Sequence, residues 1–253
     1  MRTIARLIED RQERYRDHPF IRFLKDDSQS PEARLAYAPF ACFFSMTFSE
    51  FNRKYIRVEN PVGEHEKALN EHAREDETHF RWFLQDLERL GYNPVCTLID
   101  ALRFVWSEEG EQARDISHYI IGAAQRADAE LKLVLLEAVE ATGSVWLDAT
   151  VAAVRNHPEA DKLNYFNKTH EGREADFVAS SGHAAIASVV LSDAARRKAP
   201  EIINGVFDRM EAFNHELLRR VHAGGADAEF LRRRVPESGV PQAHTALDKE
   251  RSA

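Results

Sequence analysis

The chain is poor in cysteine: Cys42 and Cys96 are its only two in 253 residues. Their spacing matches neither a zinc knot nor a redox pair, which excludes a disulfide framework and leads us to expect a reducing, cytoplasmic setting. Glycine and proline are also scarce, at 11 and 9, which argues against the frequent turns of an all-β chain. Positive charge is not in excess: 34 Lys and Arg against 42 Asp and Glu give a net charge of -8. The one basic run, Arg232 to Arg234, is short and reads as part of a solvated tail, so no nucleic-acid partner is expected. Long apolar runs are missing as well. The segment MRTIARLIEDRQERYRD carries charge throughout and has no apolar signal core, and no window reaches the length of a membrane span. A soluble, intracellular protein with no membrane partner is the expectation.

What is present is a helical pattern. With 43% hydrophobic residues the chain can bury one good core. Its apolar positions recur every three or four residues between the sparse glycines and prolines, which predicts an all-α fold. We expect a single helical bundle of about seven to nine helices over 1–223, and a polar, flexible C-terminal tail over 224–253. The first helix should run from about Thr3 to Lys25 with a break at Pro19, and Ser30-Pro31 should start a second, kinked near Pro39, reaching Arg57. A third spans Gly63 to Leu90. Asn93-Pro94 opens a shorter fourth ending near Gly110, residues 111–126 make a fifth, and Asp128 starts a sixth that passes Gly143 to about Arg155. A helix over Leu163–Ser181, one over Ala184–Lys198 and a last one restarted by Pro200 and reaching His222 complete the set.

Polar residues that face inward separate chemistry from surface decoration. On the third helix His72 and His79 are seven residues apart, which returns to nearly the same face at 3.6 residues per turn. Asp76 shares their stripe with Leu69, Phe83, Leu87 and Leu90. On the sixth, Glu140 lies among Leu133, Leu136, Leu147 and Val151, and a carboxylate left unpaired there would be costly. On the next, His170 and Glu174 align with Leu163, Phe166 and Phe177. Three helices each direct imidazole or carboxylate toward the core, the way metal sites in bundles are built. These donors suit iron, manganese, zinc or copper. By contrast Asp208, Glu211 and His215 lie opposite the stripe Ile203, Val206, Met210, Phe213, Leu217 and Val221, and read as a solvated face.

The runs EHAREDETHF at 71–80, LLEAVEATGSV at 135–145 and YFNKTHEGREADF at 165–177 resemble the haem-oxygenase-like non-haem iron oxidases. That family has a seven-helix bundle similar to haem oxygenase and TenA-type thiaminases, and it binds a labile two-iron site. The resemblance implies metal ligation by His79, Glu140 and His170, with Glu174 at an aspartate position. His72 stands where the family has a glutamate and Phe177 where it has a histidine. It further implies one or two iron ions, or manganese, activating dioxygen against a small-molecule substrate. A single-metal site of His79, His170 and a carboxylate, with His72 as a further nitrogen, would survive the two departures.

Other readings stay open at this level. The protein can be a degenerate member that keeps the fold without catalytic metal, or a TenA-like hydrolase using Cys42. His72 and Asp76 can be a simple i, i+4 pair, with Asp76 otherwise orienting a ligating ring. Haem is not expected, because its proximal histidine would come from an early helix, where His18 sits in a charged stretch. The aromatic-rich second helix, with Phe40, Phe43, Phe44, Phe48 and Phe51, suits either a substrate cavity or a homodimer contact.

Overall fold

The computed structural model describes residues 2–167 and 189–225. They are all-helical, with no strand among the described residues. Eight helices have eight residues or more: α1 (Arg2–Arg16), α4 (Cys42–Glu50), α5 (Glu64–Asp76), α6 (Phe80–Arg89), α7 (Leu98–Val105), α8 (Glu111–Arg126), α9 (Ala129–Val154) and α10 (Asp193–His222). Two short ones, α2 (Pro19–Leu24) and α3 (Pro31–Leu35), lie between α1 and α4. No helix of the described residues is long and apolar enough to cross a membrane.

Local chemistry explains most of the boundaries. Pro19 and Pro31 occupy first-turn positions, where the missing N–H costs nothing. Ser30 Oγ accepts from the Ala33 amide at 3.2 Å, Asp128 Oδ1 from Leu131 at 3.0 Å and Ser192 Oγ from Ala195 at 3.2 Å, satisfying amides that a helix start leaves open. Pro39 lies in a 3₁₀ turn, Ala38–Ala41, that redirects the chain into α4, and a π-helical turn, Phe51–Tyr55, ends that segment.

Several expected boundaries differ. The third helix is two helices, broken by a turn at residues 77–79. The break is supported from outside: Arg57 Nη2 donates to the Ala73 carbonyl at 3.3 Å and pairs with the Glu77 carboxylate, while Ser49 Oγ donates to the Glu77 carbonyl. These contacts satisfy acceptors at the end of α5 and let the helix stop. The fourth helix starts at Leu98, where Thr97 and Asp100 form a capping box, rather than after Pro94. Leu163 to Asn167 is irregular, and the rest of the helix expected to Ser181 lies outside the described residues. Pro200 does not restart a helix, since α10 runs through it. The Ser192 cap begins that helix eight residues earlier, and its buried face, Ile203, Val206, Phe207, Met210 and Phe213, holds it on its neighbours.

Helix α9 is the centre of the packing. Leu131, Leu133, Val134, Leu135, Leu136, Ala138 and Val139 are all buried and the charged Glu130, Lys132, Glu137 and Glu140 among them are half-buried, so its first half is covered over most of its circumference. It packs against α10, α1, α2, α3, α8 and α5. A carboxylate carried midway along this helix is therefore delivered into the interior of the bundle. Residues 226–253, which include most of the expected tail, lie outside the described residues.

Candidate metal and ligand site

His72 and Asp76 occupy the last turn of α5, one turn apart, and both are buried. Glu140 projects toward them from α9. His72 Nε2 lies 3.1 Å from Asp76 Oδ2 and 3.0 Å from Glu140 Oε1. One donor atom from each of the three residues can be chosen so that all lie within 4.8 Å of one another, a grouping able to hold a metal ion. Neighbouring ligand atoms about 2.1 Å from a common ion lie about 3.0 Å apart at octahedral angles and about 3.4 Å at tetrahedral ones, so the two spacings to His72 Nε2 come close to those around a shared octahedral cation. Nitrogen and carboxylate oxygen together suit first-row divalent metals.

The electrostatics of His72 follow from its surroundings. Burial pushes its pKa down, but the Glu140 and Asp76 carboxylates outweigh that and hold it at about 11. In the metal-free protein the ring is therefore an imidazolium between two carboxylates. A metal ion taking this position has to displace that proton, because only the neutral ring offers a lone pair.

His79 lies just before α6, is buried, and places Nδ1 3.5 Å from Asp76 Oδ1. Its ring is stacked on Trp82, with centroids 4.7 Å apart and planes at 16°. Asp76 thus stands between the two histidines with one oxygen toward each. Sequence spacing assigned it an orienting role, whereas the structure places it in the donor group itself. The signal is its place on the inward stripe one turn from His72, which a simple i, i+4 pair also explains. Of the five expected ligands, His72 and Glu140 belong to this group and His79 adjoins it. His170 and Glu174, together with Phe177, lie outside the described residues.

The acids face a cavity. Asp76, His79 and Glu140 form one part of its wall, and Phe44, Phe48, Phe80, Trp146, Met210 and Phe213 are the large apolar side chains among the rest. Its space, counted out through the open mouth and including solvent there, is about 730 Å³. Phe44 and Phe48, two of the aromatics with an open role in the sequence, line this space. Phe40 and Phe51 are core residues. Ser45 and Tyr165 add hydroxyls 3.3 Å apart.

Tyr165 is held by a residue that sequence reasoning overlooked. Asp86 on α6 is fully buried, and its carboxylate accepts from the backbone amides of Asn164 at 2.9 Å, Tyr165 at 2.7 Å and Phe166 at 3.1 Å. Burial pushes its carboxyl pKa up, opposed by these three donors. Nothing in the local sequence around Asp86 signals this, because its partners lie 78 to 80 positions away.

The polar trio Asp208, Glu211 and His215 sits on the outer side of α10, as its helical phase predicts, but it is not merely solvated. Arg11, whose side chain is only 9% exposed, reaches Asp208 at 2.7 Å and Glu211 at 3.2 Å, and Asn204 at 2.7 Å. His215 Nδ1 lies 2.8 Å from His18 Nε2. His18 Nδ1 in turn accepts from the Phe20 amide at 3.2 Å, capping α2. Both ring nitrogens of His18 are thus engaged in joining α2 to α10. Cys42 has the chemistry of a core residue: burial pushes its thiol up to about 11, far from an activated nucleophile.

No family model matches this chain, and no curated protein sequence matches it at a significant level.

Proposed function

We propose that this protein is a metal-dependent oxidase or oxygenase acting on a small molecule, with a non-haem iron ion held by His72, Asp76 and Glu140 and neighboured by His79. The observation that carries the reading is the convergence of one imidazole and two carboxylates, from two helices, beside an apolar cavity. Imidazole with carboxylate is the donor chemistry of mononuclear non-haem iron sites, and such an ion, when bound, supplies dioxygen activation at an open coordination position. The chain's own contribution is separable from that chemistry. Asp76 and Glu140 would hold such an ion at the cavity wall. The His79–Trp82 stack holds a second imidazole beside Asp76, and the aromatic lining keeps bulk water away from a bound molecule.

A second reading, a haem-oxygenase-like bundle that has lost catalytic metal, is favoured by one observation. His72 between Asp76 and Glu140 is already charge-compensated without any ion. The hydrolase reading is weakened by the raised pKa of Cys42.

Reconstitution with Fe(II) under anaerobic conditions, followed by elemental analysis and exposure to oxygen, separates the two remaining readings. The oxidase reading requires at least about one iron per chain, an oxygen-dependent absorption change, and loss of both in His72→Ala and Glu140→Ala but not in His215→Ala. A folded protein that takes up no metal, or equal loss in all three variants, would overturn it.

A further inference from the structure

The lining of the cavity carries information about its occupant. Among the described residues that line it there is no lysine or arginine, so the positive charge these residues would offer an anionic group is that of an ion whose charge Asp76 and Glu140 offset. The two acids, Asp76 and Glu140, are balanced in charge by a divalent ion. A cationic group added beside that ion would be both repelled and desolvated. The other polar side chains among the described lining residues are the imidazole of His79 and the hydroxyls of Ser45, Thr142 and Tyr165, and the Thr142 hydroxyl already donates to the Val139 carbonyl.

Gly143 supplies an independent observation. It sits within α9, one turn beyond Glu140, and lines the same cavity. A Cβ built on it would meet no atom within 4 Å, although the neighbouring helix positions Thr142, Val145 and Trp146 are buried. Glycine inside a helix is unfavourable and commonly marks a packing or functional need. Among the described residues no packed neighbour requires it, and the space beside it adjoins the cavity.

We infer that the cavity binds an uncharged, largely apolar molecule, carrying at most a hydroxyl or carbonyl for Ser45 and Tyr165, and that Gly143 leaves the room that admits it. This deepens the metal-dependent reading, whose charge balance it uses. It assigns the substrate class and names Gly143 as a residue that sets substrate size.

The test uses three near-isosteric probes, 2-phenylethanol, 2-phenylethylamine and phenylacetate, titrated calorimetrically into protein loaded with redox-inert Zn(II). The metal content of each sample is measured alongside. We expect 2-phenylethanol to bind at least about tenfold more tightly than either charged probe. Gly143→Leu should lose at least about tenfold of that affinity while metal content is unchanged, and Gly143→Ala should fall between. The smaller variant keeps the test valid should the leucine disturb folding. Equal or tighter binding of a charged probe, no binding of 2-phenylethanol, or undiminished affinity in a folded Gly143→Leu protein would each overturn the inference. One metal per chain without 2-phenylethanol binding sinks this inference and leaves the metal reading standing. No metal, with the neutral preference and the Gly143 effect intact in the zinc-treated protein, sinks the metal reading and supports the assignment of the cavity.

Discussion

His72 Nε2 and Glu140 Oε1 are 3.0 Å apart, joining the end of α5 to the middle of α9. Asp76 approaches the same nitrogen at 3.1 Å, so the last turn of α5 is fixed to the central helix by charge. Removing the imidazole leaves two carboxylates near each other, one of them, Asp76, with a side chain only 7% exposed. For metal-free protein we predict that His72→Ala costs about 2–4 kcal/mol of stability, because a buried carboxylate loses its partner. Glu140→Gln should cost less, about 1 kcal/mol, since that side chain is 27% exposed. Divalent metal at about a hundredfold above its dissociation constant should add about 2.7 kcal/mol to the wild-type protein and nothing to either variant. Urea unfolding with and without metal measures all of these; a wild-type midpoint that does not respond to any divalent ion would count against ligation.

The His18–His215 contact predicts the acid limb of the stability profile. Burial lowers the His18 pKa from its ordinary 6.5 to about 4, with further lowering from His215 and Arg22 and partial opposition from the Glu211 carbonyl. Protonation would also place a hydrogen on Nδ1, the atom that accepts from the Phe20 amide. Between these pKa values the unfolded chain binds a proton that the folded chain refuses, so stability falls as pH drops from about 6.5 to about 4 and levels off below. His72 does not interfere in this window, because it is protonated in both states there. Its own contribution is complete below pH 6.5 and is lost as pH rises toward about 11. With one side open at the exposed His215, we expect the His18 effect to be on the order of 1–2 kcal/mol. His18→Asn keeps a capping acceptor without the titration. Its urea midpoint should be flatter than that of the wild type across this pH range, and parallel curves would refute the assignment.

Asp86 positions Tyr165 and Phe166 through backbone amides, so its loss should be felt at the cavity as well as in stability. Asp86→Ala leaves three amide donors without their acceptor, and we predict a loss of about 2–4 kcal/mol. Asp86→Asn retains one acceptor oxygen and should lose about half as much. Both variants should bind 2-phenylethanol more weakly than the wild type, as Tyr165 lines the cavity. A stability loss with unchanged probe affinity would confine Asp86 to a folding role.

Residues whose partners are local were legible in the sequence. Ser30, Asp128 and the proline at 19 mark helix starts because a cap acts within three residues of itself, and Glu140 was visible as an acid within an apolar stripe. The break after Asp76 was not legible, because it depends on Arg57 and Ser49, which reach the turn from another part of the chain. Asp76 itself was placed on the right face. Its promotion from orienting group to donor depends on how closely α9 brings Glu140, a distance no spacing within α5 encodes. Pro200 misled for the complementary reason: a proline normally ends a helix, yet tertiary packing of the Ile203, Val206 and Phe207 face carries α10 through it.

Two glycines inside helices predict opposite outcomes for the same substitution. At Gly143 a methyl group meets nothing within 4 Å, so Gly143→Ala gains helix propensity without a steric cost and should stabilise the protein by up to about 1 kcal/mol. At Gly205 on α10 a Cβ would lie 1.9 Å from the hydroxyl of Tyr119 and 2.3 Å from its Cζ. That tyrosine cannot simply swing away. Its hydroxyl donates to the Ile202 carbonyl at 3.4 Å, and Arg209 lies over its ring at 4.0 Å. Gly205→Ala therefore has to separate α8 from α10 or break these contacts, and it should destabilise by about 1–3 kcal/mol despite the better propensity of alanine. Thermal melts of the two variants beside the wild type decide the matter. A rise for Gly143→Ala and a fall for Gly205→Ala are expected. A fall for both would mean that the space opposite Gly143 is filled, which would also remove one of the two observations that assign the cavity its ligand.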